Sequence, residues 1–265
     1  MKNKIPWIII AIITVLAAVV IYDAKKYKWL EKTPENTLSM SVSSVSQSDI
    51  FFNIKAEYPQ FKDIDPAFNQ KINSKISDLI NGEISDFKKE ATDNWQTRKD
   101  TATPEYPVPE NPEQPFDFIA TWTPTQLNDK YISFTIDIYY FSGGAHGNDE
   151  IFTFNYDILK NKEITILDFL NNSQENLNKV SELAVKDINF QLLSKGLQAD
   201  DSLAEMIKDG TKPTIENFKN FNFNKNALII YFQKYQVAPG VVGEITTSLY
   251  KEVLEAEFVK SDYFN

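Results

Sequence analysis

Apolar and polar positions follow three different rhythms along this chain, and each rhythm predicts a different element. The first is an unbroken apolar run, "IPWIIIAIITVLAAVVIY", Ile5 to Tyr22, without a charge. As a helix rising ~1.5 Å per residue it would reach about 27 Å, close to the hydrocarbon thickness of a bilayer. Lys2 and Lys4 precede it, and Trp7 and Tyr22 sit near its ends, where amphipathic rings favour the interface. Its exit offers no good small-x-small pair for a signal peptidase. The expectation is therefore an uncleaved membrane anchor over residues 5–22 behind a short tail, residues 1–4. Residues 23–48 are polar, end in "SMSVSSVSQSD", and read as a stalk.

The second rhythm has the period of a helix. Phe68, Ile72, Ile76, Leu79, Ile80, Ile84 and Phe87 fall three or four apart, with Asp65 placed as N-cap and Pro66 as first helical residue. Gly82 interrupts the stripe at a cost of about 1 kcal/mol. Leu177, Val180, Leu183, Ala184, Ile188, Leu192 and Leu193 mark a second amphipathic helix. Asn172 and Glu175 resemble its capping box, and Gly196 suits its C-terminal cap. A shorter helix is predicted near Ser202–Lys208.

The third rhythm is alternation. "DIFFNIKAEYP" (49–59), "FDFIATWTP" (116–124) and "EIFTFNYDI" (150–158) read as strands, and "YISFTIDIYYF" (131–141) is the clearest of all. In it Ile132, Phe134, Ile136, Ile138 and Tyr140 face one way, and Ser133, Thr135 and Asp137 the other. "ITILDFL" is a short strand or a strand-to-helix step. Two final strands flank the loop "APGVVG". The proline-rich stretch 101–115 excludes helix and central strand. Helices and antiparallel strands without a βαβ rhythm predict an α+β fold. We divide it into an N-terminal subdomain, residues 49–142, and a C-terminal one, residues 143–265.

Charge and composition narrow the chemistry. The net charge is −10 over 265 residues; setting aside Lys2 and Lys4 leaves 25 basic against 37 acidic residues, or −12, beyond the apolar run. That disfavours nucleic acid or anionic lipid as a direct partner and favours a basic one. With no cysteine and one histidine, disulfides, thiolate sites and a histidine-rich zinc site are excluded, and no cofactor fingerprint appears. The histidine, His146, lies in "YFSGGAHGN", which also holds Gly143, Gly144 and Gly147 of the chain's eight glycines. A serine–histidine mechanism would need an elbow that Ser142 does not occupy. Asp137, Asp149 and Glu150 are near enough in sequence to orient an imidazole. The clustering fits a demanding turn, with His146 holding backbone carbonyls, better than it fits an active site.

"YFSGGAHGN", "FTFNYDILKNKEITILDFL" and "FNFNKNALIIYFQKYQVAPGVVGEI" resemble, in order and spacing, the domain shared by RsiV-type anti-sigma factors and PdaC-type peptidoglycan deacetylases. "AEYPQF" and the long helix resemble the smaller domain that precedes it. Gly147 stands where that family often has proline. The resemblance implies an extracytoplasmic module, with no anti-sigma or deacetylase domain recognisable. It resolves the conflict between Lys2 and Lys4 on one side of the apolar run and Lys25, Lys26, Lys28 and Lys32 on the other, in favour of a C-terminal domain outside a single-pass membrane anchor. The implied function is binding or sensing at the cell envelope, with peptidoglycan or a basic, lysozyme-like wall hydrolase as partner. Candidate binding residues are Tyr140, Ser142, Gly143, Gly144, His146 and Tyr235. No enzymatic activity is expected; the alternatives are a wall-modifying hydrolase using His146 and a structural accessory protein of the envelope.

Overall fold

The computed structural model describes residues 38–197, 200–257 and 259–264; the expected anchor, and the stalk up to residue 37, lie outside the described residues. Among the described residues no helix is long and apolar enough to cross a membrane. Residues 38 onward form one compact unit of mixed α+β structure.

Its first sheet is six-stranded: β1 (Met40–Ser48), β2 (Phe52–Phe61), β3 (Phe116–Leu127), β4 (Tyr131–Phe141), β5 (Asn148–Asp157) and β6 (Lys162–Glu163), in that spatial order. Every neighbour pair is antiparallel except β2 and β3, which run parallel from Phe52↔Phe116 to Ala56↔Ala120. A parallel pair needs a long crossover. Helix α1 (Pro66–Asp100) supplies it, with Asp65 accepting from the N–H groups of Ala67 and Phe68 as its cap. Phe68, Ile72, Ile76, Ile80, Ile84, Phe87, Ala91 and Trp95 are buried along one stripe of α1, against Ile54, Phe118, Phe134 and Ile136 of the sheet. Each isoleucine and phenylalanine among them contributes on the order of 1.5–3 kcal/mol of hydrophobic burial. Gly82 is tolerated in mid-helix, where the space around it is open.

The stretch read as the end of a stalk is strand β1. All nine of its residues pair with β2, from Met40↔Phe61 to Ser48↔Asn53. Its two valines stand three apart and so point to opposite faces, Val45 packed on the core and Val42 in solvent. The border placed at 142/143 does not match the sheet either, because β5 pairs with β4 over ten residues, Tyr131↔Asp157 to Tyr140↔Asn148.

The second sheet has three antiparallel strands, β7 (Phe221–Asn224), β8 (Ala227–Phe232) and β9 (Ile245–Tyr250). Around it stand α2 (Ile166–Phe169), α3 (Gln174–Ser194), α4 (Asp201–Gly210) and α5 (Lys251–Ala256). "ITILDFL" is thus a step into a helix, capped reciprocally by Thr165 and Asp168. The cap of α3 is Ser173, one residue beyond the expected Asn172, which takes a left-handed φ of 55°. Gly196, at φ 77°, ends α3 as expected.

The polar face of β4 is turned toward this second sheet. Ser133, Asn155 and Asn222 are buried together. Ser133 Oγ donates to Asn155 Oδ1 at 2.8 Å and accepts from the Phe223 N–H at 3.1 Å. Asn155 Nδ2 donates to the Phe221 carbonyl at 2.6 Å, and Asn222 Nδ2 to Ser133 Oγ and the Phe134 carbonyl, both at 3.0 Å. Buried polar groups are tolerated when paired; here they satisfy the backbone of β7.

Candidate functional site

Two glycine loops reach the seam between the sheets. The first follows β4. Ser142 is buried; its Oγ donates to Glu90 Oε1 at 2.6 Å, and Asn94 Nδ2 donates to its carbonyl at 3.1 Å, so the residue is pinned to α1. Gly143 takes φ 98°, and a Cβ there would stand 2.8 Å from the Phe116 ring. The demanding turn expected of this loop is thus made at Gly143. Gly144 is exposed and has room for a side chain. His146 is exposed, and its Nδ1 lies 2.9 Å from the Gly147 carbonyl, a local contact open to water. At Gly147 a Cβ would meet the Tyr139 ring at 2.3 Å.

The second loop follows β8. Gln236 anchors it: its Nε2 donates to the carbonyls of Gly210 and Asn217, both at 3.0 Å, and its Oε1 accepts from the Gln233 N–H at 3.1 Å. Gln233 Nε2 donates to the Ile151 carbonyl of β5 at 2.7 Å, tying the loop across the seam. Tyr235 then stands out. It is 62% exposed and takes φ 70°, a genuine outlier for a bulky residue. Gly240 lies close under its ring, since a Cβ there would be 2.2 Å from Tyr235 Cζ, and Lys234 Nζ sits 5.6 Å from the ring centroid.

Between these loops opens a cleft of about 550 Å³, walled by Tyr140, Asn148, Asp149, Glu150, Gln233 and Tyr235 among others, with Lys219, Asn220 and Lys234 on one side. Tyr140 is half-buried, and its hydroxyl donates to Glu150 Oε1 at 3.4 Å. Burial, then the nearby Glu150 and Glu90 carboxylates, push the Tyr140 hydroxyl up to about 12, so it stays a neutral donor. Burial also raises Glu83 on α1, with Glu150 and Asp86 adding repulsion. Across the seam, Glu244 is raised by burial and by Asp137 and Asp149, against a hydrogen bond from Thr246 that lowers it.

The structure thus brings together two of the six candidate residues, Tyr140 and Tyr235, and separates the other four. Ser142 and Gly143 turn inward, and neither Gly144 nor His146 lines the cleft. Of the carboxylates first considered as partners of the imidazole, Glu150 accepts instead from Tyr140, Asp149 lines the cleft, and Asp137 accepts from Thr135. Asn148, Lys219, Asn220 and Gln233 were not singled out from the sequence. Among the described residues no group of histidines and carboxylates is arranged to hold a metal ion.

An aromatic, amide and carboxylate-lined cleft at the junction of two small sheets is the setting in which the comparisons fall. Residues 45–149 match the family model described as "Deacetylase PdaC", and residues 167–251 match "Protein of unknown function (DUF3298)". The two matches follow one another along the chain and fit the shared PdaC/DUF3298 module. A curated relative from Bacillus subtilis (strain 168), "Peptidoglycan-N-acetylmuramic acid deacetylase PdaC", is 26% identical over 98% of this chain and 52% of its own length. The chain thus spans about half of that relative. Two solved structures share the fold. A DUF3298 member from Bacteroides fragilis superposes with a TM-score of 0.57 at 13% identity, over 83% of this chain and 93% of that one. One from Pseudomonas aeruginosa PAO1 gives 0.54 at 15%, over 83% and 94%. The expectation of no enzymatic activity is corrected by this comparison, because the Bacillus relative is named as an enzyme.

Proposed function

We propose that this chain is an extracytoplasmic module of the cell envelope, held at the membrane through residues 5–22, that engages the glycan of peptidoglycan in the Tyr140–Tyr235 cleft. The observation that carries the reading is Tyr235. A ring that is 62% exposed, resting only on Gly240 and Lys234, gains little burial to offset a backbone held at φ 70°, and strain of this kind collects at functional positions. Aromatic faces stack on the apolar faces of sugar rings, while amides and carboxylates such as Asn148, Gln233 and Glu150 pair with hydroxyl and acetamido groups. The name of the Bacillus relative supports peptidoglycan as the polymer.

Cosedimentation of the protein with purified sacculi tests this. Tyr235→Gly removes the ring and relieves the strain, so it should weaken binding by about tenfold or more while leaving stability equal or higher. Unchanged binding by Tyr235→Gly together with Tyr140→Ala would remove the cleft from consideration. Acetate release from the same sacculi measures the activity for which the relative is named. A second reading, a basic wall hydrolase of the lysozyme kind as partner, draws on the net charge of −10. It expects binding to lysozyme that fades as salt is raised.

A further inference from the structure

The backbone of β1 is a long strand edge that no described strand pairs with on its outer side. Odd-numbered residues of β1 bond toward β2, because the Lys62 N–H donates to the Ser39 carbonyl and the Asp49 N–H to the Phe52 carbonyl, fixing the bonded pairs on residues whose numbers sum to 101. The N–H and C=O groups of Met40, Val42, Ser44, Ser46 and Ser48 therefore point outward. Pro59 sits opposite Val42, at a pair that needs no N–H from it, which agrees with this phase.

Other edges carry guards along at least part of their length. β6 has two residues, and where β5 runs on past it the outward Ile151 carbonyl accepts from Gln233 Nε2 at 2.7 Å. On β7 the outward Phe221 carbonyl accepts from Asn155 and the outward Phe223 N–H donates to Ser133. On β9 the outward Thr246 carbonyl accepts from Gln191 Nε2 at 2.9 Å. β1 has none of the usual guards: its sequence "MSVSSVSQS" contains no charge and no proline, and its register with β2 contains no bulge.

We propose that β1 pairs with β1 of a second copy of this chain, antiparallel and centred on Ser44. A two-fold axis perpendicular to the sheet is the arrangement that continues it, and it keeps equivalent faces on the same side, so paired residue numbers must sum to an even value. With the sum 88, Ser44 meets its own equivalent, Val42 meets Ser46 and Met40 meets Ser48. All five outward residues then pair, and with two bonds per pair the interface carries ten backbone hydrogen bonds. No like charges are opposed in this register. Asp49 falls opposite Ser39, and the two Asp49 carboxylates stand about 34 Å apart, beyond the Debye length of about 8 Å at physiological salt. Among the even sums, 88 alone pairs all five outward residues, and it opposes no like charges; every copy of the chain carries this same unguarded edge, which favours a second copy over a foreign strand. The glycan reading does not enter this argument.

The natural absence of cysteine makes the register measurable. In the full chain, purified in detergent and mildly oxidised, Ser44→Cys places two thiols across one bonded pair, where Cα atoms lie about 5.5 Å apart, within disulfide range. Ser48→Cys places them about 27 Å apart. The expected result is a covalent dimer from Ser44→Cys at least about tenfold more abundant than from Ser48→Cys. Ser44→Pro, which removes an outward N–H and leaves the bonds to β2 in place, should abolish the non-covalent dimer. Equal cross-linking at both positions would mean random collision or association elsewhere in the chain, and would overturn the proposal. A monomer without the Ser44 cross-link would also overturn it. Protection of Met40–Ser48 from hydrogen exchange in that monomer would then assign the edge to another occupant, residues 1–37 or a foreign strand.

Discussion

The two glycine loops carry the same sequence signal and use it for opposite ends. In the loop after β4, glycine lets the backbone turn inward: Gly143 takes φ 98° against Phe116, beside a buried Ser142 fastened to Glu90. In the loop after β8, glycine makes room for a side chain that turns outward: Gly240 lies under the ring of Tyr235. A glycine cluster therefore marks a crowded backbone, and what crowds it decides whether the loop is a fastening or a platform. The first loop holds the histidine and contributes little beyond shape; the second has no acid–base residue of its own at its tip and presents the strained aromatic.

The comparison can be broken most forcefully at Gly210, where α4 abuts the second loop. A Cβ there would lie 2.1 Å from the Gln236 carbonyl oxygen, a backbone atom that cannot swing aside. Gly210→Ala should destabilise the protein by about 3 kcal/mol or more, read by chemical denaturation. Gly143→Val should cost about 1–3 kcal/mol from its positive φ and the Phe116 contact, and if thermal unfolding finds it harmless the fastening role of the first loop is wrong. Gly240→Ala meets a movable ring rather than backbone, so stability should change by less than about 1 kcal/mol. Its signature should be weakened binding to sacculi, as the Tyr235 ring is displaced.

Smaller still is the effect of Glu244→Gln. The folded carboxyl is raised by burial and by Asp137 and Asp149, so the protein holds that proton more tightly folded than unfolded. Its contribution is present below the unfolded carboxylate range and is lost as pH rises through the folded value. The glutamine variant should thus melt slightly higher than the parent at pH 7 and no higher at pH 4. Smallest is His146→Ala. The imidazole is exposed and bonds only its neighbour's carbonyl, so the loss should stay under about 0.5 kcal/mol, less than a buried pinning role would require.

Long periodic segments were legible before any coordinates. The α1 stripe from Phe68 to Phe87, its Asp65 cap and the alternation of β4 follow directly from where apolar side chains fall. β1 was not, because the two valines of "SVSSVS" stand three apart on opposite faces, and small polar side chains between them give no apolar stripe to announce a half-buried strand. β7 has four residues, too few for a period to emerge. The polar side of β4 was a different failure. Ser133 reads as a solvent-facing position unless Asn155 and Asn222, tens of residues away, are known to meet it. At the cleft, Tyr140 and Tyr235 were both named through the family resemblance of the segments that hold them. Gln233, Lys219 and Asn148 were invisible because ordinary polar residues gain meaning only from what they face.

Ser133, Asn155 and Asn222 also bear on where this protein could be cut. Residue 155 lies after the first family match ends at 149 and before the second begins at 167, in what an alignment would treat as a spacer. Yet that side chain bridges β5 to the Phe221 carbonyl of the other sheet. Severed between the two matches, each half would carry a wet notch where its partner's amides had been, and neither would be a whole inheritable part. The two modules share a stitch, and the thread of it runs through a residue, Asn155, that belongs to neither.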